Sequence, residues 1–207
     1  SFDDVASALV AAIDRIANDP LIAAGIMGAV QAEQSCDIIH HLADCAAEAD
    51  GARILRQALP YIHPDYPQAR TMTPLVVSLP SGNAALYAQE HFGPVLFIIA
   101  ARDGATAVDE ACFLAREHGA ISSYLYSTDE AFIDAALDNY TRSGMNLSVN
   151  LHGGMWANFA AAYSDYHVTG LNPAGNACLT DLAFVANRFR IVQHRRPAPR
   201  IGENNGA

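Results

Sequence analysis

Apolar residues return along this chain in two alternating rhythms, one helical and one extended, and the alternation predicts an α/β fold. Phe2, Val5, Leu9, Ile13 and Ile16 recur at helical spacing and stop at Asn18-Asp19-Pro20, which predicts a first helix. A longer helical pattern covers 29–50, with Gly51 set to cap its C-terminus. Ile54-Leu55 reads as a short strand. Residues 60–74 hold Pro60, Pro64, Pro67 and Pro74, too many for a regular element, and predict an ordered excursion over the surface. The rhythm then tightens. Residues 75–79 and 95–101 read as strands, 106–117 as a helix and 122–127 as a strand. A helix over 129–142, capped by Thr128 or Asp129, and a strand over 147–150 follow.

Strand, helix, strand, helix, strand at this spacing predicts a three-layer, mostly parallel, doubly wound sheet with right-handed crossovers. Ligands in such sheets sit at the strand ends, so the loops after the last strands are where a site is expected. Beyond Asn150 the pattern turns irregular through Gly153-Gly154, Gly170 and Asn172-Pro173. A short helical stretch at 180–186 and a strand-like 189–193 come next, and residues after Pro197 read as polar and frayed.

Composition narrows the function classes. The 207 residues, 51% hydrophobic and 16% charged, suffice for one substantial core. A net charge of −10 from scattered acids repels phosphate backbones and argues against nucleic acid as a partner. No 18-residue apolar run and no charged-then-apolar leader occurs, so neither a membrane span nor a signal peptide is expected, and a cytoplasmic setting fits. Cys36, Cys45, Cys112 and Cys178 lie far apart and read as reduced thiols. All 12 basic residues are arginine. Without lysine, this chain can house neither a Walker-type phosphate loop nor a Schiff base.

The sharpest local feature is Glu90-His91-Phe92-Gly93-Pro94-Val95, which runs straight into the apolar 96–100. A carboxylate and an aromatic ring two residues apart, locked by Gly-Pro at a strand edge, make a small preformed place for a ligand. Taken alone, the plainer reading is a strand-entry carboxylate beside an ordinary core aromatic. The segment, however, resembles the Glu-x-Phe-Gly-Pro-Val signature of the aldehyde dehydrogenase superfamily. Thr73-Pro74-Leu75-Val76 resembles the strand upstream of that signature, and the opening Phe2-Asp3-Asp4-Val5 helix resembles the one that follows the family's nucleophile segment. Downstream, 120–126, 144–150 and 164–170 stand where the family has its Gly-Leu-x-x-x-Val-Phe strand, its Gly-x-x-x-Val-Asn strand and its Gly-Gly turn.

The resemblance covers residues 1–195, followed by a polar tail at 196–207, and implies a cofactor site. Glu90 is expected to accept hydrogen bonds from the nicotinamide ribose of NAD or NADP, with Phe92 beside the nicotinamide ring. Gly93 would permit close approach of the backbone, and Pro94 would set the turn. The family's nucleophilic cysteine, general-base glutamate and dinucleotide-binding domain are expected upstream of Ser1. The chain is then the C-terminal part of a catalytic domain, without a catalytic residue of its own and inactive alone. His152, Trp156, Phe159 and Tyr163 would line the aldehyde tunnel, or else pack beneath an irregular loop. A strand at 188–193 would pair with a partner subunit in a homo-oligomer.

Departures mark a divergent branch. Ser164-Asp165 stands where most members have Gly-Gly, and 165–170 with 172–177 resembles the aldehyde dehydrogenases of phenylacetate ring opening, which oxidise a coenzyme A-linked semialdehyde. Glu33-Gln34-Ser35-Cys36 superficially matches the segment before the family's catalytic thiol. Only 54 residues (90 − 36) separate Cys36 from Glu90, however, about half of what the family requires, and Cys36 falls inside a helical pattern. It reads as a small core hydrophobe. Cys36 with His40, and His41 with Cys45, form two i, i+4 pairs, but they centre about 140° apart on the helix and cannot converge on one zinc. His63, His118 and His194 read as surface residues. The competing reading of the whole is an α/β binding or assembly module that has kept the fold without the chemistry.

Overall fold

The computed structural model of the chain describes residues 1–120, 122–145 and 147–151, together with the backbone of 192–194. Two compact units divide at Arg102 and Asp103.

The first unit opens with α1 (Phe2–Ala17), α2 (Pro20–Ile26) and α3 (Glu33–Glu48). The Asp19-Pro20 pair both ends α1 and starts α2. Asp19 accepts hydrogen bonds from the Leu21 and Ile22 amides at 2.9 and 3.3 Å, and proline's missing N–H is harmless at a first helical position. The helix expected over 29–50 begins four residues late, at Glu33. The Val30 N–H donates to the Arg70 carbonyl at 2.7 Å, so a distant segment holds the backbone of this stretch outside the helix.

β1 (Arg53–Arg56), β2 (Leu75–Pro80) and β3 (Val95–Ala100) form a sheet in that order, with β1 antiparallel and β3 parallel to β2. A single short turn of helix, α4 (Ala84–Tyr87), joins β2 to β3. Leu75 to Leu79 are buried throughout, which explains why β2 is apolar on both faces apart from Ser78. On one face Leu75, Val77 and Leu79 pack with Val30, Ile39, Leu42 and Ala46. Gly51, at φ 70°, turns the chain from α3 into β1.

The second unit contains α5 (Gly104–His118), β4 (Ser123–Leu125), α6 (Glu130–Arg142), β5 (Leu147–Val149) and β6 (Val192–His194). Its three strands are parallel, in the order β4-β5-β6. Asp129 is the N-cap of α6 and accepts from the Phe132 amide at 3.1 Å. Val108, Cys112, Ile133, Ala136, Tyr140, Leu147 and Val149 form the core of this unit. The α/β class with parallel strands is as expected, and among the described residues each unit carries one three-stranded sheet. Among the described residues no helix is long and apolar enough to cross a membrane.

Two titratable groups sit in this second core. Burial pushes the Cys112 thiol up, against the lowering effect of a hydrogen bond with Ser143. Burial, and secondarily Cys112, raise the Tyr140 phenol from its ordinary 10.0 to about 12. The unfolded chain therefore loses this proton first, and the stability that Tyr140 contributes below pH 10 is lost as pH rises toward 12. Denaturant midpoints should fall across that window, and Tyr140→Phe should remove part of the fall. An unchanged slope in the variant would show that other groups govern alkaline unfolding.

Candidate functional site

The segment from Glu90 to Pro94 is shaped by what lies behind it. His91 is half-buried, and its Nε2 donates to the Leu86 carbonyl at 3.1 Å. Its ring stands 6.1 Å from that of Phe97, which also meets Tyr87 at 6.4 Å. With His91 held inward, Glu90 and Phe92 are both exposed, Phe92 at 73%. The Glu90 carboxylate makes no hydrogen bond or ion pair among the described residues. Phe92 is therefore not the core aromatic that the plainer reading expects.

Pro94 and Gly93 anchor the segment. The Pro94 carbonyl accepts from the Leu75 amide at 2.9 Å, so the turn is joined to β2. Gly93 lies so close to α3 that an added Cβ would stand 2.5 Å from Ile39 Cδ1. The absence of a side chain at position 93 leaves room for a core side chain of its own unit.

Phe92, Gly93 and Pro94 form one wall of an open groove of about 580 Å³. The facing wall is the non-helical stretch Gly28 to Ala32, joined by Ser35 from the first turn of α3. Three tertiary hydrogen bonds hold that wall. The Val30 amide donates to the Arg70 carbonyl, Arg70 Nη2 returns a bond to the Gln31 carbonyl at 2.9 Å, and the Tyr61 hydroxyl donates to the Met27 carbonyl at 3.1 Å. Burial pushes the Tyr61 phenol up. The proline-rich excursion is closed by a Pro60–Met72 bridge, and its Arg70 and Tyr61 hold the wall from behind through these hydrogen bonds.

Ser35 is the residue that the pattern reading missed. It is 91% buried (9% exposed), lines the groove, and its hydroxyl has no partner among the described residues. The available signal was its place at i−4 from Ile39, on the buried stripe completed by Leu42 and Ala46. Glu90 is not among the lining residues and stands just outside the groove. His152, Trp156, Phe159 and Tyr163 lie outside the described residues, as do the helix expected at 180–186, Cys178 and the tail.

The competing candidates stay apart. Cys36 is half-buried against the first core, while His40 and His41 are exposed. The contact between Cys45 Sγ and His41 Nε2, 3.5 Å, lies at the surface. Among the described residues no group of three or more His, Cys, Asp or Glu is placed to hold a metal. His63 Nδ1 accepts from the Asp65 and Tyr66 amides, both at 3.2 Å, and serves the excursion loop.

Residues 1–153 match the model of the aldehyde dehydrogenase family. No curated protein matches the chain. The crystal structure of an NAD-dependent aldehyde dehydrogenase from Burkholderia multivorans is similar at 42% identity and a TM-score of 0.71. That similarity covers 92% of this chain and 33% of the other, so the chain spans about a third of its relative's length. A signature read from six residues thus extends to a match over most of the sequence, and the chain belongs to the aldehyde dehydrogenase family.

Proposed function

We propose that this chain is the C-terminal part of the catalytic domain of a nicotinamide-dependent aldehyde dehydrogenase, and that the groove beside Phe92 receives the nicotinamide riboside end of NAD or NADP. The observation that carries this reading is a pair of outward-facing groups on one turn: the Phe92 ring forms a wall of the groove, and the Glu90 carboxylate, two residues earlier, is exposed. A riboside fits such a place, because its hydroxyls need acceptors and its ring needs an apolar face. The dinucleotide, when bound, supplies the hydride acceptor. The chain's own part is orientation. Glu90 accepts from ribose hydroxyls as a charged acceptor, Phe92 limits where the ring lies, and the Ser35 hydroxyl offers a further polar contact inside the groove.

The nucleophilic cysteine and general base belong, on this reading, to an upstream segment with the dinucleotide-binding domain, and the isolated chain is inactive. The stretches 165–170 and 172–177 favour a coenzyme A-linked semialdehyde of aromatic breakdown as substrate. A cytoplasmic homo-oligomer belongs to the same reading.

The test is to assay the longer parent protein with free and coenzyme A-linked aldehydes, using either nicotinamide cofactor, beside Glu90→Gln. The variant should lose on the order of ten- to a hundredfold in the hydride-transfer step while still forming the acyl-enzyme precursor, because only the cofactor is misaimed. Absence of aldehyde-dependent cofactor reduction with every substrate would refute the proposal.

A further inference from the structure

Ser35 carries a hydroxyl that its own unit does not use. It stands one turn before Ile39 on the buried stripe of α3 and is 9% exposed, yet among the described residues nothing donates to its oxygen or accepts its proton. Its backbone N–H is engaged, donating to the Ala32 carbonyl at 3.1 Å. A helical serine commonly turns its hydroxyl back to the carbonyl four residues earlier. Here that carbonyl is Gln31's, and it accepts from Arg70 Nη2 at 2.9 Å instead. Nor does Ser35 cap the helix, since Ala32 holds the N-cap position and makes no side-chain bond. A buried hydroxyl without a partner bears its desolvation uncompensated, and it calls for a partner from outside the unit.

The groove beside it narrows what that partner can be. Val30, Ala32, Phe92 and Pro94 make its lining apolar, and none of the lining residues is ionisable. A phosphate or a carboxylate would lose its hydration there and meet no opposite charge. Gln31, the other polar side chain of the lining, is exposed and already open to water. A flat ring bearing one uncharged amide suits the place better. The ring lies against apolar walls, and the amide meets a hydroxyl that both donates and accepts.

We propose that Ser35 is a binding residue that hydrogen-bonds the carboxamide of the nicotinamide ring, while Glu90 serves the ribose. This rests on the proposed function of the groove and names the part of the dinucleotide that its interior recognises. A hydroxyl held for a ligand sets two opposed expectations for Ser35→Ala. Binding should weaken, and the fold should not, because the lost group had no partner in the fold and alanine is the better helix former.

The test uses the longer parent protein and two probes: NAD, or NADP if the parent prefers it, and the matching ADP-ribose, the same molecule without the nicotinamide. In calorimetric titrations Ser35→Ala should bind the dinucleotide about three- to tenfold more weakly, the range of one neutral hydrogen bond, and ADP-ribose as the wild type does. Thermal unfolding without ligand should show an unchanged or raised midpoint. Phe92→Ala, at an exposed position, should likewise weaken the dinucleotide and spare ADP-ribose. Unchanged dinucleotide affinity in Ser35→Ala, equal losses for both probes, or a lowered midpoint overturns the proposal, the last by showing that the hydroxyl has a structural partner in the parent. If Phe92→Ala discriminates between the probes and Ser35→Ala does not, the groove still takes the ring and only the role of Ser35 falls. If neither variant discriminates, or the parent binds neither dinucleotide, the proposed function of the groove falls with it.

Discussion

Arg56→Ala should destabilise the first unit by about 3 kcal/mol, the combined cost of stranding several polar partners at once. The Arg56 side chain is only 10% exposed at the end of β1. Its Nε meets Asp14 Oδ1 of α1 at 2.8 Å, and its Nη1 donates to the Thr73 hydroxyl and the Pro74 carbonyl, both at 2.8 Å, and to the Gln57 carbonyl at 3.0 Å. One guanidinium thus joins α1, β1 and the residues entering β2. Asp14 is 43% exposed, so the ion pair itself contributes little. The larger cost lies with Thr73 and Pro74, whose oxygens lose a donor; Thr73 is itself buried. Arg56→Lys should recover only a small part, because an ammonium cannot reach four separated acceptors as a planar fork does. Urea unfolding of the three proteins checks this. A loss below about 1 kcal/mol for the alanine variant would mean that water satisfies the site instead.

Ile39→Ala should cost about 2–5 kcal/mol, the range for emptying a buried aliphatic site. Ile39 is 1% exposed, on the stripe of α3 that packs against Leu75, Val77 and Leu79. Its reach to Gly93 makes the effect more than a core defect. The same Cδ1 occupies the space that a side chain at position 93 would need, so Gly93→Ala alone should cost about 1–3 kcal/mol by overpacking. Ile39→Val removes that methyl. Combined with Gly93→Ala, it should cost less than the sum of the two single changes, a favourable coupling that a double-mutant cycle measures. Strict additivity would show that the 90–94 turn yields instead, and that the groove wall is soft.

How much of the candidate site was legible depends on how local its causes are. Glu90, Phe92, Gly93 and Pro94 stood out because a strand entry locked by Gly-Pro is written in consecutive residues. The opposite wall was misread as the start of a helix. Its apolar residues suit a helical rhythm, but its backbone bonds go to Arg70 and Tyr61, more than thirty residues away. Ser35 escaped for a similar reason, since one hydroxyl on an apolar stripe looks like noise until the groove beside it is seen.

The sequence by itself determined the types of the longer elements, though not the short α2 and α4, and the family, because periodicity, caps and short signatures act within a turn or two of chain. The Asp19-Pro20 junction, the Asp129 cap and the buried run of β2 are of that kind. Only the tertiary structure decided that β1 runs antiparallel to β2, that 28–32 stays out of the helix as a groove wall, and that Gly93 faces a core isoleucine. It also decided that Asn150 closes a strand end with its side chain. Each of these depends on a partner distant in sequence, and a hydrogen bond or a packed methyl has no signature in the chain until folding brings the two ends of the contact together.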